Sequence, residues 1–277
     1  MHEHHDSSAR SRIGIGPEAA LRMQIQHPHV CSTETRMAVL GRVRLFRDLD
    51  AEGIAQVDAM MIARSAPTDA MLCHAGDPAD ALHVLAVGRA KSYTTTVDGH
   101  EVIDTLLAPG DVFGGLAALG QRQQPTSVRT LTDVCVLRID APAFRQLLLR
   151  LPSVSLRVID ELSERLDAAR GTTAMLASSP VMVRVAATLD SLCSNFGTPS
   201  SSHPGAIDLH LPLSRADLAG LTGSRVESVS RAMSTLRREG TVKSGRQWTT
   251  VLDRERLKAL ADGIESCSTT WADRPRP

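Results

Sequence analysis

The side chains best equipped for chemistry in this 277-residue chain lie in Leu221–Gly240, where Arg225, Glu227, Ser228, Ser230 and Arg231 fall within seven residues. An arginine can fork onto the acceptors of guanine, and a glutamate can accept from the amine of cytosine. On the first turns of a helix, such residues suit the edges of bases in a major groove. Ser224 fits an N-cap ahead of them, aiming the positive helix end at a phosphate. Arg215, Lys243 and Arg246 extend the same basic region. From Leu211 to Arg246 seven basic residues face three acidic ones, in a chain of formal net charge +0. Such a patch marks a polyanion-binding face, although a solvated helix face gives a similar count. The other reactive groups are thiols and imidazoles. Five cysteines (Cys31, Cys73, Cys135, Cys193 and Cys267) are odd in number and spread out, which argues against a disulfide framework.

The basic stretch needs elements that present it. Ser214, with Asp217 three residues on, reads as the capped start of a helix over Arg215–Leu221. Thr222-Gly-Ser224 then makes a tight turn, with Gly223 free to take a positive φ and Ala219 small where two helices cross. Val226, Val229, Met233 and Leu236 recur at helical spacing and predict one buried face. Leu209–Leu213 reads as a strand before this pair, and Thr241–Val251 as two strands around a Ser-Gly turn. Helix, turn, helix and hairpin make a winged helix-turn-helix, spanning 179–252 with a C-terminal helix and tail at 253–277.

Upstream, residues 1–36 lack periodicity, hold five of the ten histidines and read as a flexible tail. Apolar residues recur at helical spacing from Met37 to Met61. Short runs over Ala81–Val87, Ala90–Val97, Glu101–Leu107 and Val134–Ile139, divided by Gly, Asp and Pro turns, predict a small β-barrel or sandwich within 37–151. A long helix over 152–178 follows. Its narrow seam of Val158 or Ile159, Leu162, Leu166, Ala169, Thr173 and Leu176 suits a partner helix, and a homodimer is the preferred reading over packing on its own β module. Ser178-Ser-Pro180 ends that helix, with Pro180 as hinge.

Composition limits the remaining classes. With 42% hydrophobic but 3% aromatic residues, the core must be aliphatic. No apolar run nears the roughly 18 residues that span a bilayer, and no secretory signal is evident, so a cytoplasmic location without membrane contact is expected. Phosphate-binding loops, Cys-x-x-Cys and nucleophilic triad motifs are absent, which leaves a thiol- or metal-dependent enzyme only as a distant alternative.

Residues 37–252 resemble the CRP/FNR family of bacterial transcription regulators. The likeness rests on Met71-Leu-Cys-His-Ala-Gly-Asp77, on Val87–Gly99, on Pro109-Gly-Asp-Val-Phe-Gly-Gly-Leu116 and on the helix-turn-helix. It implies an α+β fold: a cupin-like, cyclic-nucleotide-binding-like β-roll sensor, a dimerisation helix and a winged helix-turn-helix. Val226-Glu-Ser-Val-Ser-Arg231 is similar to the FNR branch's Val-Glu-Thr-Ile-Ser-Arg, which implies Glu227, Ser230 and Arg231 as base readers on a TTGAT-like inverted repeat in double-stranded DNA. RNA polymerase is a further implied partner.

The signal is less clearly written. The positions that hold the ligand in the family's cyclic-nucleotide branch fall on Gly115 and Gln124-Pro125, which removes the phosphate's cation. The FNR branch holds an iron–sulfur cluster through four cysteines, and Cys135 resembles the last of them. Cys31 and Cys73 would supply further thiolates, and His29 or Asp133 a fourth ligand, under a redox or gas signal. The alternative is that Cys73 and Cys135 are small buried hydrophobes. Haem, a cyclic nucleotide, thiol oxidation or no cofactor complete the options.

Overall fold

Two antiparallel sheets form where the turn-bounded runs predicted strands, in a computed structural model that describes residues 31–114, 119–245 and 248–263. The strands are β1 (Ile62–Ala66), β2 (Met71–Cys73), β3 (Ala81–Val87), β4 (Ala90–Thr95), β5 (Glu101–Leu107), β6 (Val112–Phe113), β7 (Ser127–Thr130) and β8 (Val134–Asp140). They pair in the orders β1-β8-β3-β6 and β2-β7-β4-β5. Side-chain alternation divides them among three cores. Leu85, Val134 and Val136 point between the sheets to meet Leu72, Cys73, Leu107 and Val128. Leu82, Val84, Cys135, Leu137 and Ile139 point the other way, onto helices. On the second sheet, Tyr93, Ile103 and Leu106 pack into the core of the C-terminal domain.

The periodic stretch from Met37 to Met61 is not one helix. It divides into α1 (Thr33–Leu40), a 3₁₀ turn at Arg44–Phe46 and α2 (Ala51–Ala59). Asp50 starts α2 afresh by accepting from the Gly53 N–H, while Leu40, Val43 and Phe46 keep the apolar spacing across the break. Structure also begins earlier than residue 37, since Ser32 caps α1 and Cys31 is buried. The histidines of the N-terminal segment, His29 among them, lie outside the described residues, as does Cys267.

After α3 (Ala141–Arg150), α4 runs over Pro152–Ser178 as the seam predicted. Its two faces differ. Val154 and Val158 are buried in the roll's helical core, so Val158 belongs to the chain's own packing and not to a free seam. Its neighbour Ile159, one helical step round, is exposed with Leu162, Leu166, Ala169, Thr173 and Leu176. Polar ties fix α4 on the roll: Arg157 to Asp48 at 2.6 Å, Arg44 to Glu164, and Arg165 donating to the Val112 carbonyl at 3.2 Å. Pro180 separates α4 from α5 (Val181–Phe196) as the N-cap of the second helix.

The C-terminal domain adds β9 (Gly197–Pro199), β10 (Ile207–Leu209), α6 (Arg215–Thr222), α7 (Val226–Arg238), β11 (Val242–Gly245), β12 (Trp248–Val251) and α8 (Arg254–Ala261). Its sheet runs β11-β12-β10-β9. The strand expected over Leu209–Leu213 instead ends at Leu209, ahead of Pro212, which has no N–H to give a ladder. Among the described residues no helix is long and apolar enough to cross a membrane.

Candidate nucleic-acid interface

The helix pair is held by local chemistry legible in the sequence. Ser214 and Asp217 form a reciprocal capping box at the start of α6. Gly223 takes φ 55° and ψ 42° at its end, and the Ser224 N–H returns to the Ala219 carbonyl at 2.9 Å. Val229, Met233 and Leu236 of α7 are fully buried against α5 and α6, each burial contributing roughly 1.5–3 kcal/mol. Val226 departs from the predicted face: it sits at the first helical position and is 38% exposed.

That packing leaves Arg225, Glu227 and Arg231 exposed, with Ser228 and Ser230 half-buried beside them. Arg231 donates to the Ser228 hydroxyl at 3.4 Å, a long contact that leaves most of its fork unused. Lys243 is exposed on β11 and donates to His203 Nε2 at 2.9 Å. Gly245 pairs with Trp248, so Ser244 and Gly245 belong to β11 and do not form the turn themselves; Arg246 lies outside the described residues.

Two of the expected contact residues are engaged elsewhere. Ser224 is not the N-cap of α7: that position is Arg225, with no side-chain cap, and the Ser224 hydroxyl accepts from Arg184 at 2.8 Å. Arg215 donates to Ser244 at 2.9 Å and braces the wing. The sequence pattern does not single out Arg184. From the first turn of α5 it also donates to the Ser179 and Leu176 carbonyls, binding the end of α4 to the helix-turn-helix turn. Its signal was an arginine four residues after the hinge proline.

The cysteines expected as metal ligands do not converge. Cys135 lies with Cys31 in the core on the helical side of β8, whereas Cys73 points between the sheets and donates to the Thr126 carbonyl. Burial pushes the Cys73 thiol up to about 11; burial and the Cys31 contact push Cys135 up to about 12. Asp133 accepts from the Thr68 N–H and hydroxyl at 2.8 and 3.0 Å. Among the described residues no three His, Cys, Asp or Glu side chains gather as metal ligands. Cys31, Cys73 and Cys135 therefore do not fit an iron–sulfur centre, because a period-2 strand sends Cys135 to the opposite side from the roll interior.

His83 stacks on Phe113 at 5.0 Å, and a Cβ on Gly114 would come within 2.9 Å of its Nδ1. Burial drives the His83 pKa down to about 4, so it stands neutral. Gln124 is buried with its backbone N–H bonded to Asp77, and Pro125 follows; Gly115 lies outside the described residues.

The architecture so defined is a β-roll joined through a long helix to a winged helix-turn-helix. A family model described as cyclic nucleotide-binding domain matches residues 63–150, and one described as Crp-like helix-turn-helix domain matches residues 183–260. The CRP-like cAMP-activated global transcriptional regulator of Mycobacterium tuberculosis is 26% identical over 80% of this chain and 98% of its own length. Transcriptional activator protein FnrL of Cereibacter sphaeroides is 26% identical over 75% of this chain and 84% of its own. FixK2 from Bradyrhizobium japonicum shares the fold with TM-score 0.64 and 23% identity, covering 72% of this chain and 96% of that one. The matched domains and relatives support a likeness to CRP/FNR-type transcription regulators in both halves of the chain.

Proposed function

We propose that the chain acts as a cytoplasmic homodimer that reads a TTGAT-like inverted repeat with α7 and controls RNA polymerase under a redox signal. The observation that carries the DNA reading is the division of α7. Its buried Val229, Met233 and Leu236 turn Arg225, Glu227 and Arg231 outward on its first turns, with Ser228 and Ser230 at their margin. Glu227, Ser230 and Arg231 read bases, while Lys243 and Arg246 of the wing contact phosphates. The exposed Ile159, Leu162 and Leu166 of α4 support the dimer, since a soluble helix rarely leaves such a stripe uncovered.

For the signal, the burial of Cys31 and Cys135 in one core, with no cluster of metal ligands among the described residues, favours thiol chemistry over a metal centre. Two thiols and one hydroperoxide give a disulfide, water and the corresponding alcohol or a second water, and that bond would tie the segment before α1 to β8. Burial keeps Cys135 protonated, so the reaction proceeds through local opening. A cyclic nucleotide is the second reading, supported by the matched cyclic nucleotide-binding domain and opposed by Gln124-Pro125 at the phosphate position.

Titrating the protein onto TTGAT inverted repeats and scrambled duplexes tests both parts, with thiol reductant, peroxide or cyclic AMP present. Palindrome-specific binding that responds to peroxide and is silent to cyclic AMP is expected. Equal affinity for both duplexes refutes the DNA reading, and a response to cyclic AMP alone selects the second signal.

A further inference from the structure

A lysine in the roll meets an aspartate in the helix-turn-helix. Lys91 on β4 is 7% exposed, and its ammonium donates to Glu101 on β5 at 2.5 Å and to Asp217 on α6 at 2.7 Å. Arg129 on β7 stands 3.5 Å from the other oxygen of Glu101. The Lys91 ammonium and the Arg129 guanidinium also lie over the ring of Tyr93, at 5.4 and 5.6 Å. Burial alone lowers the Lys91 pKa, but its bonds to Asp217 and Glu101 outweigh that and raise it, so the ammonium stays charged. Asp217 likewise stays ionised against its burial, through Lys91 and Ser214.

The backbones meet at the same place. A Cβ on Gly220 of α6 would lie 2.7 Å from the Glu101 carbonyl oxygen and 3.1 Å from Ile103 Cγ1. Tyr93, Ile103 and Leu106 of the roll share one core with Leu218 and Ala219 of the helix-turn-helix. Replacing a buried ion pair by apolar groups is often neutral for stability, so its contribution is better sought in geometry. Its partners are far apart in sequence and belong to different domains, and a directional bond between them admits one orientation.

We propose that Lys91 is a positioning residue for DNA recognition: by holding α6 on the roll through Asp217 and Glu101, it fixes how far apart the two recognition helices of a dimer stand. The inference rests on the homodimeric DNA-binding reading above. Two half-sites are bound together only when helix spacing matches their separation, and one inserted base pair also rotates the second half-site by roughly a tenth of a turn. With the roll contact intact, a wrongly spaced repeat is rejected. Once it is released, the C-terminal domains swing on Pro180 and accept it.

The test uses the full chain on TTGAT inverted repeats whose central spacer varies by one base pair, and on a single half-site. Lys91→Met lies outside the DNA face and should leave half-site affinity unchanged. Its preference for the best spacer over its neighbours should fall roughly tenfold, as effective concentration equalises between them. Lys91→Arg keeps the charge and should restore most of the discrimination. Gly220→Ala is an independent wedge: alanine suits a helix better than glycine, yet its methyl pushes α6 off Glu101, so spacing preference should fall here too. Wild-type discrimination in both Lys91→Met and Gly220→Ala overturns the proposal. A wild-type protein that binds no palindrome overturns the DNA reading and this role with it, and is told apart because the unaltered chain itself fails.

Discussion

The exposed face of α7 and the buried thiols of the roll are opposite solutions to the placement of reactive groups. On α7 the apolar side chains face inward and Arg225, Glu227 and Arg231 stand in water, where a polyanion can meet them without rearrangement. Cys31 and Cys135 are 3% and 0% exposed, sealed among aliphatic side chains. A surface that recognises a large, rigid partner has to be open beforehand. A site that reports a change gains from being closed, because its reaction is then coupled to movement of the elements covering it.

The widest test of that contrast is the helix between the two regions. Leu162→Asp with Leu166→Asp should leave the roll folded, since both side chains are exposed, but abolish the dimer. Palindrome affinity should then fall by about two to four orders of magnitude as avidity is lost, with sedimentation reporting the monomer. A dimer that survives would mean that the stripe serves another purpose.

The closed character of the roll is tested by pH. His83 has a folded pKa near 4, below its ordinary 6.5, so between those values the unfolded chain takes up a proton that the folded chain refuses. Stability should be complete above pH 6.5 and fall by roughly 3 kcal/mol as pH drops toward 4. Denaturant melts of wild type and His83→Leu should diverge only in that window; parallel curves would show that His83 is not sealed.

The open character of α7 is tested by Arg231→Ala, expected to cost about 1–3 kcal/mol of specific affinity while non-specific binding changes little. Equal losses on both would make Arg231 a phosphate contact. The smallest change is expected from Lys243→Ala on the wing, which should weaken all sequences alike and reduce the salt slope by about one. A sequence-dependent loss there would place the wing in a groove.

Much of this contrast is legible in the sequence. Ala81–Val87 and Glu101–Leu107 were bounded by turn residues and fold as those strands, and the capping box and positive-φ Gly223 delimit α6 as their residue types demand. These features depend on neighbours within a few positions, where the backbone's own geometry decides. The break between α1 and α2 escaped because apolar spacing continues through a 3₁₀ turn, so periodicity alone does not mark it. Cys73 was grouped with Cys31 and Cys135 because residue type says nothing about which side of which sheet a thiol takes.

What the sequence determined by itself is the order of the modules and the polar face of α7, since both follow from local period, caps and turns. The tertiary structure alone decided which of Val158 and Ile159 is covered, that Arg184 occupies Ser224, and that Lys91 meets Asp217 across 126 positions. Those outcomes depend on how whole domains pack, and a charge becomes a fixed contact only where packing has removed the water around it.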